Sequence, residues 1–207
     1  MQTASANSPR EGRATRKGEL WRALPFWGFV ALFLAGVGVS AKALYIPIKA
    51  EVAQVMLDHA FEESLASGTP VKPWSWADTA PMARVSVERL GVSEVVLSGG
   101  SGEAMAFGPT ALLDNPAGGV TVLAAHRDTH FLFIRDLVVG DVVRMQRIDG
   151  REAFFRIEAL QTVRWDEFAV PSQGGDGLLA LTTCYPFDTD SPGPLRRIAW
   201  AKRIDVG

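Results

Sequence analysis

The stretch GLLALTTCYP, residues 177–186, decides the fold class, because it is a short apolar run that a proline ends abruptly. Seven other short runs after residue 80 share its content of apolar and β-branched residues. They are ARVSVERL, SEVVLSG, GGVTVLAA, DVVRMQRI, REAFFRIEAL, LQTVRW and RRIAWAKRI. Helical pattern is sparse there, with FLFIRDL as the one short candidate. A mainly β barrel or sandwich is therefore predicted rather than alternating βαβ units.

A membrane helix is predicted near the N-terminus. The sequence from Ala23 to Ala41 carries no charge, and as a helix it would span roughly 28 Å, close to the hydrocarbon thickness of a bilayer. The basic residues before it favour a cytoplasmic N-terminus. They are Arg10, Arg13, Arg16, Lys17 and Arg22. We therefore expect a basic cytoplasmic segment at 1–22, a single-pass signal-anchor at 23–44 and an exported remainder.

A cleavable signal peptide is the alternative, since small residues around Ala41 follow the apolar run. The uncharged run is longer than the 7–15 residues of a typical signal-peptide core, which favours the anchor. Both versions export the rest of the chain.

Residues 45–80 are expected to connect the anchor to the folded domain, which then occupies 81–207. A helix is predicted from about Ile48 to Ser67, with one apolar face at four-residue spacing. That face is Ala53, Leu57, Phe61 and Leu65. Three prolines after it exclude regular helix and favour an extended connector.

The composition excludes several other classes. The chain has 207 residues, of which 47% are hydrophobic, and a formal net charge of -2. These values argue against a disordered chain, a collagen-like fibre or a polyanion-binding surface, so nucleic acid is not an expected partner.

Cys184 and His126 are the first candidates for chemistry. Cys184 is the single cysteine, so no intrachain disulfide can form. It stands where a strand must stop, and His126 also follows an apolar run, VTVLAA. A lone exported thiol is either buried and inert or reactive, and both readings stay open from these residues alone.

A zinc site is not predicted from the other histidines. His126 and His130 stand four apart, but Arg127 occupies the position of the glutamate that a zinc-protease helix requires. No third ligand is evident, and His59 belongs to no constellation, so no metal is expected.

Five motifs resemble, in this order along the chain, the Gram-negative class of sortases, a family of cysteine transpeptidases. They are KPWSWADTAP, FGPTAL, HRDTHF, LTTCYPFD and GPLRR. The family signature is TLxTC with a distant histidine and arginine. The resemblance implies an eight-stranded sortase-type β-barrel with short helices, in which His126 follows strand four, Cys184 ends strand seven and Arg196 lies on strand eight.

The resemblance also implies the catalytic roles. Cys184 is expected to be the nucleophile, His126 the acid/base and Arg196 the electrostatic partner. Arg196 is preferred because GPLR aligns with the family's GPLR, although the family commonly has an aromatic residue at the next position, where this chain has Arg197. Arg197 is the fallback and a weaker candidate for a substrate contact. Strand alternation should turn it away from the site.

Three further polar residues are weaker candidates for contacts in this site. Thr182 should share the face of Cys184, and Thr183 should lie opposite, either being a possible substrate contact. Asp128 would either orient His126 or simply be a solvated residue of a turn.

The implied substrate is a partner protein with a C-terminal LPxTG-like sorting signal, cut through a thioacyl intermediate and transferred to an amine acceptor in the cell envelope. The implied location is the bacterial inner membrane, with the catalytic domain facing the periplasm or outside and the helix in the lipid bilayer. No cofactor is expected, and the sequence leaves modulation by calcium open.

Two alternatives to a transpeptidase remain at this stage. One is an exported cysteine peptidase that hydrolyses the same kind of signal. The other is an anchored β-domain that binds a partner and does no chemistry, with Cys184 inert.

Overall fold

A computed structural model describes residues 16–100, 102–115, 119–171, 177–189 and 191–205, with the backbone alone at 16–25, 44, 46 and 47. The chain divides into two compact units, Met1–Lys49 and Ala50–Gly207. Of the predicted basic segment at 1–22, residues 1–15 lie outside the described residues.

The first element is helix α1, Arg16–Ser67. From Phe26 onward it is long and apolar enough to cross a membrane, and its most apolar window is fully exposed. A cleavable signal peptide meets the same criteria, so the anchor stays a proposal. The helix ends at Ser67 as predicted. The predicted start near Ile48 is wrong, because the backbone is already helical before Pro47.

The last turns of α1 pack on the β-domain through the predicted apolar face. Leu57 and Phe61 are buried in a cluster with Val95 and Leu97 of the sheet. The guanidinium of Arg84 lies 4.2 Å from the centre of the Phe61 ring. This apolar contact makes the end of α1 part of the folded domain.

Eight strands form a closed barrel, as the resemblance implied. The strands are β1 Pro81–Val87, β2 Val92–Leu97, β3 Thr110–Asn115, β4 Val120–Ala124, β5 Val142–Arg147, β6 Glu152–Arg164, β7 Leu178–Tyr185 and β8 Leu195–Ile204. Their order around the barrel is β1-β2-β3-β4-β7-β8-β6-β5. In the described ranges three short helices connect them. These are α2, Gly102–Met105, and two 3₁₀ helices, Glu88–Leu90 and Leu132–Asp136.

Two strands differ from the predicted runs. REAFFRIEAL and LQTVRW belong to one strand, β6, whose register shifts between Ile157 and Ala159. β3 was not predicted. Its register shifts between Ala111 and Leu113, and the burial along it does not alternate. Both differences have the same cause, since a bulge breaks the two-residue period on which strand prediction relies.

Side chains of β7 and β8 alternate between the barrel interior and the outer face. Leu179 and Leu181 pack in the interior cluster. Ala180 and Ile198 pack on the outer face under Phe168 and Trp200. By this alternation, the even-numbered residues at the end of β7 and the start of β8 face outward.

Candidate active site

The strand ladder places His126, Cys184 and Arg196 in one row. β4 and β7 are parallel, with Ala124 opposite Thr182, and His126 and Cys184 each come two residues further along. β7 and β8 are antiparallel, with Cys184 opposite Arg196. Because neighbouring strands lie about 4.8 Å apart, Cys184 and Arg196 are neighbours across the sheet, and His126 lies two residues past the last paired residue of β4.

These three residues line one cavity of about 340 Å³, which we call the Cys184 cavity. The thiol of Cys184 is free and half-buried, and His126 is exposed. The remaining lining is mostly apolar. It comes from Met105, Leu112, Ala124, Ala125, Trp165, Phe168, Thr182 and Thr183. The cavity therefore combines a solvent-accessible thiol and imidazole with an apolar wall.

Arg196 is held in place by its own strand end. Its Nη1 donates to the backbone carbonyls of Gly193, at 3.0 Å, and Leu195, at 2.9 Å. Among the described residues it forms no ion pair. The guanidinium has further N–H donors, which are available to an incoming anion or carbonyl oxygen.

Arg197 faces away from the Cys184 cavity, as strand alternation predicts. Its Nη1 donates to the hydroxyl of Thr162 at 3.2 Å. It lines a separate cavity of about 260 Å³ with Arg135 and Tyr185. The geometry thus gives the two adjacent arginines different surroundings.

The two threonines before Cys184 also differ. The hydroxyl of Thr183 donates to the carbonyl of Ala125 at 2.7 Å and ties the end of β7 to the end of β4. The hydroxyl of Thr182 is buried and has no hydrogen-bond partner in the described part of the chain. Thr182 and Cys184 both line the Cys184 cavity.

The sequence left two roles open for Asp128, orienting His126 or lying in a turn. Its carboxylate accepts from Nε of Arg127 at 3.1 Å. Within the described ranges no hydrogen bond joins Asp128 to His126. The observed contact is that of a turn residue bound to its neighbour.

The other two histidines pair with acidic side chains outside this cavity. Nδ1 of His130 lies 2.7 Å from Glu94, and His59 lies 3.5 Å from Glu63. Over the ranges that the structure describes, no three His, Cys, Asp or Glu side chains cluster as a metal site would require.

Shifted pKa values occur in ion pairs that do not line the Cys184 cavity. The guanidinium of Arg89 donates to both oxygens of Asp141, and the backbone N–H of Val138 donates to the same carboxylate. The hydrogen bond from Arg89 is the main cause that lowers the pKa of Asp141. This pair joins the first 3₁₀ helix to the turn before β5, so its role is in stability.

Sequence reasoning missed the apolar wall and Arg127. Trp165 and Phe168 follow β6, and Trp165 is 61% exposed, as a ligand-contacting aromatic would be. Arg127 is buried and hydrogen-bonds to the loop after Cys184. Its position next to His126 was the one available signal.

A free thiol, an imidazole and an unpaired guanidinium in one row beside an apolar wall form a site suited to cysteine-dependent acyl transfer from an extended peptide. A model of the sortase domain matches residues 85–204, which is more than half of the chain. The chain therefore belongs to the sortase family.

Individual relatives agree with this assignment. Sortase D of Bacillus subtilis (strain 168) is 33% identical over 86 residues, which make up 42% of this chain and 43% of that protein. The chain thus matches less than half the length of this relative.

Solved structures show the same fold. Sortase A from Corynebacterium diphtheriae superposes with a TM-score of 0.55 at 18% identity, covering 64% of each chain. Sortase C-1 from Actinomyces oris gives a TM-score of 0.50 at 23% identity, covering 61% of this chain and 76% of that one. At these identities the likeness concerns the fold alone.

Proposed function

We propose that this chain is a membrane-anchored sortase: a cysteine transpeptidase that cuts an LPxTG-like C-terminal sorting signal of a partner protein and transfers it to an amine. The observation that carries the proposal is the row of His126, Cys184 and Arg196 on one open cavity of a sortase-family barrel. Family membership supports the reaction class, and the shared cavity supports the choice of residues.

The first half of the reaction forms a thioacyl enzyme. The Cys184 sulfur, as thiolate, attacks the threonyl carbonyl carbon, and the electron pair of the C=O bond moves to oxygen. Arg196 donates hydrogen bonds to that oxyanion or to the adjacent substrate backbone. When the oxyanion collapses, the C–N bond breaks and His126 gives a proton to the departing amine.

The second half reverses these roles. His126 takes a proton from the incoming amine, whose nitrogen attacks the thioester carbonyl. The C–S bond then breaks, the thiolate of Cys184 leaves, and a new amide links the partner protein to the acceptor in the cell envelope. Water in place of the amine would give hydrolysis.

The wall of the Cys184 cavity supports an apolar substrate segment. Leu112, Phe168 and Trp165 contribute apolar surface beside the thiol. The leucine and proline of an LPxTG-like signal are residues that such surface would bury. We propose that Thr182 and Thr183, which precede Cys184 on β7, also contact the substrate.

The location is part of the proposal. The basic residues before the apolar helix support a single pass through the bacterial inner membrane, with the catalytic domain facing the periplasm. The division into a segment at 1–22, an anchor at 23–44, a connector at 45–80 and a barrel at 81–207 belongs to this proposal. The five motifs shared with Gram-negative sortases support membership in that class.

We further propose that the chemistry needs no cofactor, because the three side chains supply nucleophile, acid/base and oxyanion donor. Whether calcium modulates the activity is tested separately, by measuring cleavage with and without the ion.

The deciding experiment incubates the full-length protein in detergent with tagged candidate sorting-signal peptides and amines, followed by mass analysis of the products. A peptide–amine conjugate that requires Cys184 supports the transpeptidase. Hydrolysis alone would indicate the exported cysteine peptidase. No product together with a thiol that iodoacetamide does not label would indicate the anchored, non-catalytic β-domain.

A further inference from the structure

We propose that Arg127 is a positioning residue of this active site: it fixes the loop that follows Cys184 to the strand end that carries His126. The inference rests on the proposed sortase function, because it assigns a role within the same reaction. Arg127 lines no part of the Cys184 cavity, so it acts through Cys184 and His126, whose chain segments it holds together.

Arg127 is buried although it carries a permanent charge. It is 5% exposed, and its guanidinium makes three hydrogen bonds. Nη1 donates to the carbonyl of Pro186 at 2.8 Å, Nη2 to that of Ser191 at 2.9 Å, and Nε to Asp128 at 3.1 Å. A buried charge is tolerated when its donors are satisfied. Two of the three acceptors here belong to the loop between β7 and β8.

The residues on both sides of His126 bind the segments on both sides of Cys184. Before His126, the carbonyl of Ala125 accepts from the Thr183 hydroxyl at 2.7 Å. After His126, Arg127 donates to the loop that follows the thiol. The two contacts together fix how the end of β4 lies against the end of β7.

Backbone acceptors make this contact specific for arginine. The positions of the carbonyls of Pro186 and Ser191 follow from the loop conformation alone. A planar guanidinium reaches both at once with separate N–H groups. The ammonium of a lysine carries its donors on one nitrogen, so it does not reproduce the two separate nitrogens of the guanidinium. Since about 1 Å of misplacement can cost ~10²-fold in rate, losing this contact should slow the chemistry.

A purely structural role predicts a different result. An arginine that only stabilises the fold would lower activity by the same factor whether or not the imidazole is present. An arginine that positions His126 loses its effect once the imidazole is removed. The non-additivity of two substitutions separates these cases.

The test uses the full-length protein in detergent and a tagged LPxTG peptide, with enzyme in excess and the rate constant of cleavage measured over long incubations. Arg127→Gln is compared in the parent protein and in His126→Ala. We expect a loss of ~10²-fold in the parent and of less than about threefold in His126→Ala. Arg127→Lys should lose at least about tenfold, because it restores the charge without the double contact.

Arg89→Gln is the control, because Arg89 also makes three guanidinium hydrogen bonds, but its acceptors Asp136 and Asp141 belong to segments that flank neither Cys184 nor His126. It should lower the thermal midpoint and change the rate constant by less than about threefold.

Each remaining outcome counts against the inference. Equal losses in both backgrounds, or a fully active Arg127→Lys, would make Arg127 merely structural. The same conclusion follows if neither Arg127 variant folds. A parent protein that does not cleave the peptide would refute the proposed function itself, whereas an active parent with an equally active Arg127→Gln would refute the positioning role alone.

Discussion

Cys184 and Arg196 stand directly opposite each other in the antiparallel ladder between β7 and β8. The next pair along the ladder is Thr183 and Arg197, and Arg197 lines a different cavity. A register shift of one residue would place Arg197 opposite Cys184, so the pairing at Cys184 determines which guanidinium reaches a substrate bound there.

The ladder predicts unequal effects of the two arginines. Arg196→Ala should lower the rate of peptide cleavage by ~10²–10³-fold, the usual cost of losing one oxyanion donor. Arg197→Ala should change the rate by less than about threefold, because its side chain meets Thr162 on the other face. Steady-state kinetics on both variants checks this, and the opposite ranking would assign the role to Arg197.

Removal of the thiol or the imidazole should have separate signatures. Cys184→Ala should give no thioacyl adduct by intact-mass analysis, because the chain has one cysteine. His126→Ala should keep the thiol and cleave ~10²–10⁴-fold more slowly, since general acid–base catalysis contributes about that factor. A His126→Ala protein with parental turnover would exclude the imidazole from proton transfer.

Stability should depend on pH through Asp141. Its carboxylate is 3% exposed, and the bond from Arg89 lowers its pKa. A lowered folded-state pKa stabilises the fold above the unfolded value of about 3.9. That contribution is lost as the pH falls through the folded-state pKa. Asp141→Asn should therefore lower the free energy of unfolding by about 2 kcal/mol at pH 7. It should also flatten the acid limb of Tm against pH, and an unchanged limb would contradict the assignment.

The packing of α1 on the barrel should contribute strongly to stability. Phe61 is fully buried, so Phe61→Ala should lower the free energy of unfolding by about 3–5 kcal/mol. Val55 lies on the same helix and is 68% exposed, so Val55→Ala should change it by about 0.5 kcal/mol or less. Denaturant unfolding of both variants tests this contact, and equal midpoints would show that the helix end does not support the barrel.

Calcium removal should leave cleavage unchanged. We expect the same rate of peptide cleavage in EDTA and in millimolar calcium, because the proposed reaction uses side chains alone. A stimulation of severalfold by added calcium, reversed by chelation, would establish a metal site that the reaction scheme lacks.

The sequence predicted those elements whose pattern is regular. The apolar run before Cys184 and the four-residue spacing of the α1 face around Leu57 are both regular, and both elements occur, although β7 continues one residue past Cys184 to Tyr185. β3 escaped prediction because its bulge puts Leu112 and Leu113 outside the two-residue alternation. A short-range pattern cannot represent such a local defect.

The site residues likewise include some that the sequence could predict and some that it could not. His126, Cys184 and the arginines were found because each stands at a strand end in a recognisable motif. Arg127 lies in the motif HRDTHF beside His126, but its contacts carry no signal, since its acceptors are backbone carbonyls some sixty residues away that any residue type could present. A backbone carbonyl is present in every residue type, so the sequence does not reveal which residues accept these hydrogen bonds.

The parallel pairing of β4 with β7 brings together chain segments that are 58 residues apart, as the bond from Thr183 to Ala125 shows. Contacts of such long sequence separation form late, because the intervening loop must close first. An emerging polypeptide therefore carries its thiol without the imidazole and guanidinium beside it. In this molecule, completion of folding is also the step that brings the reactive groups together.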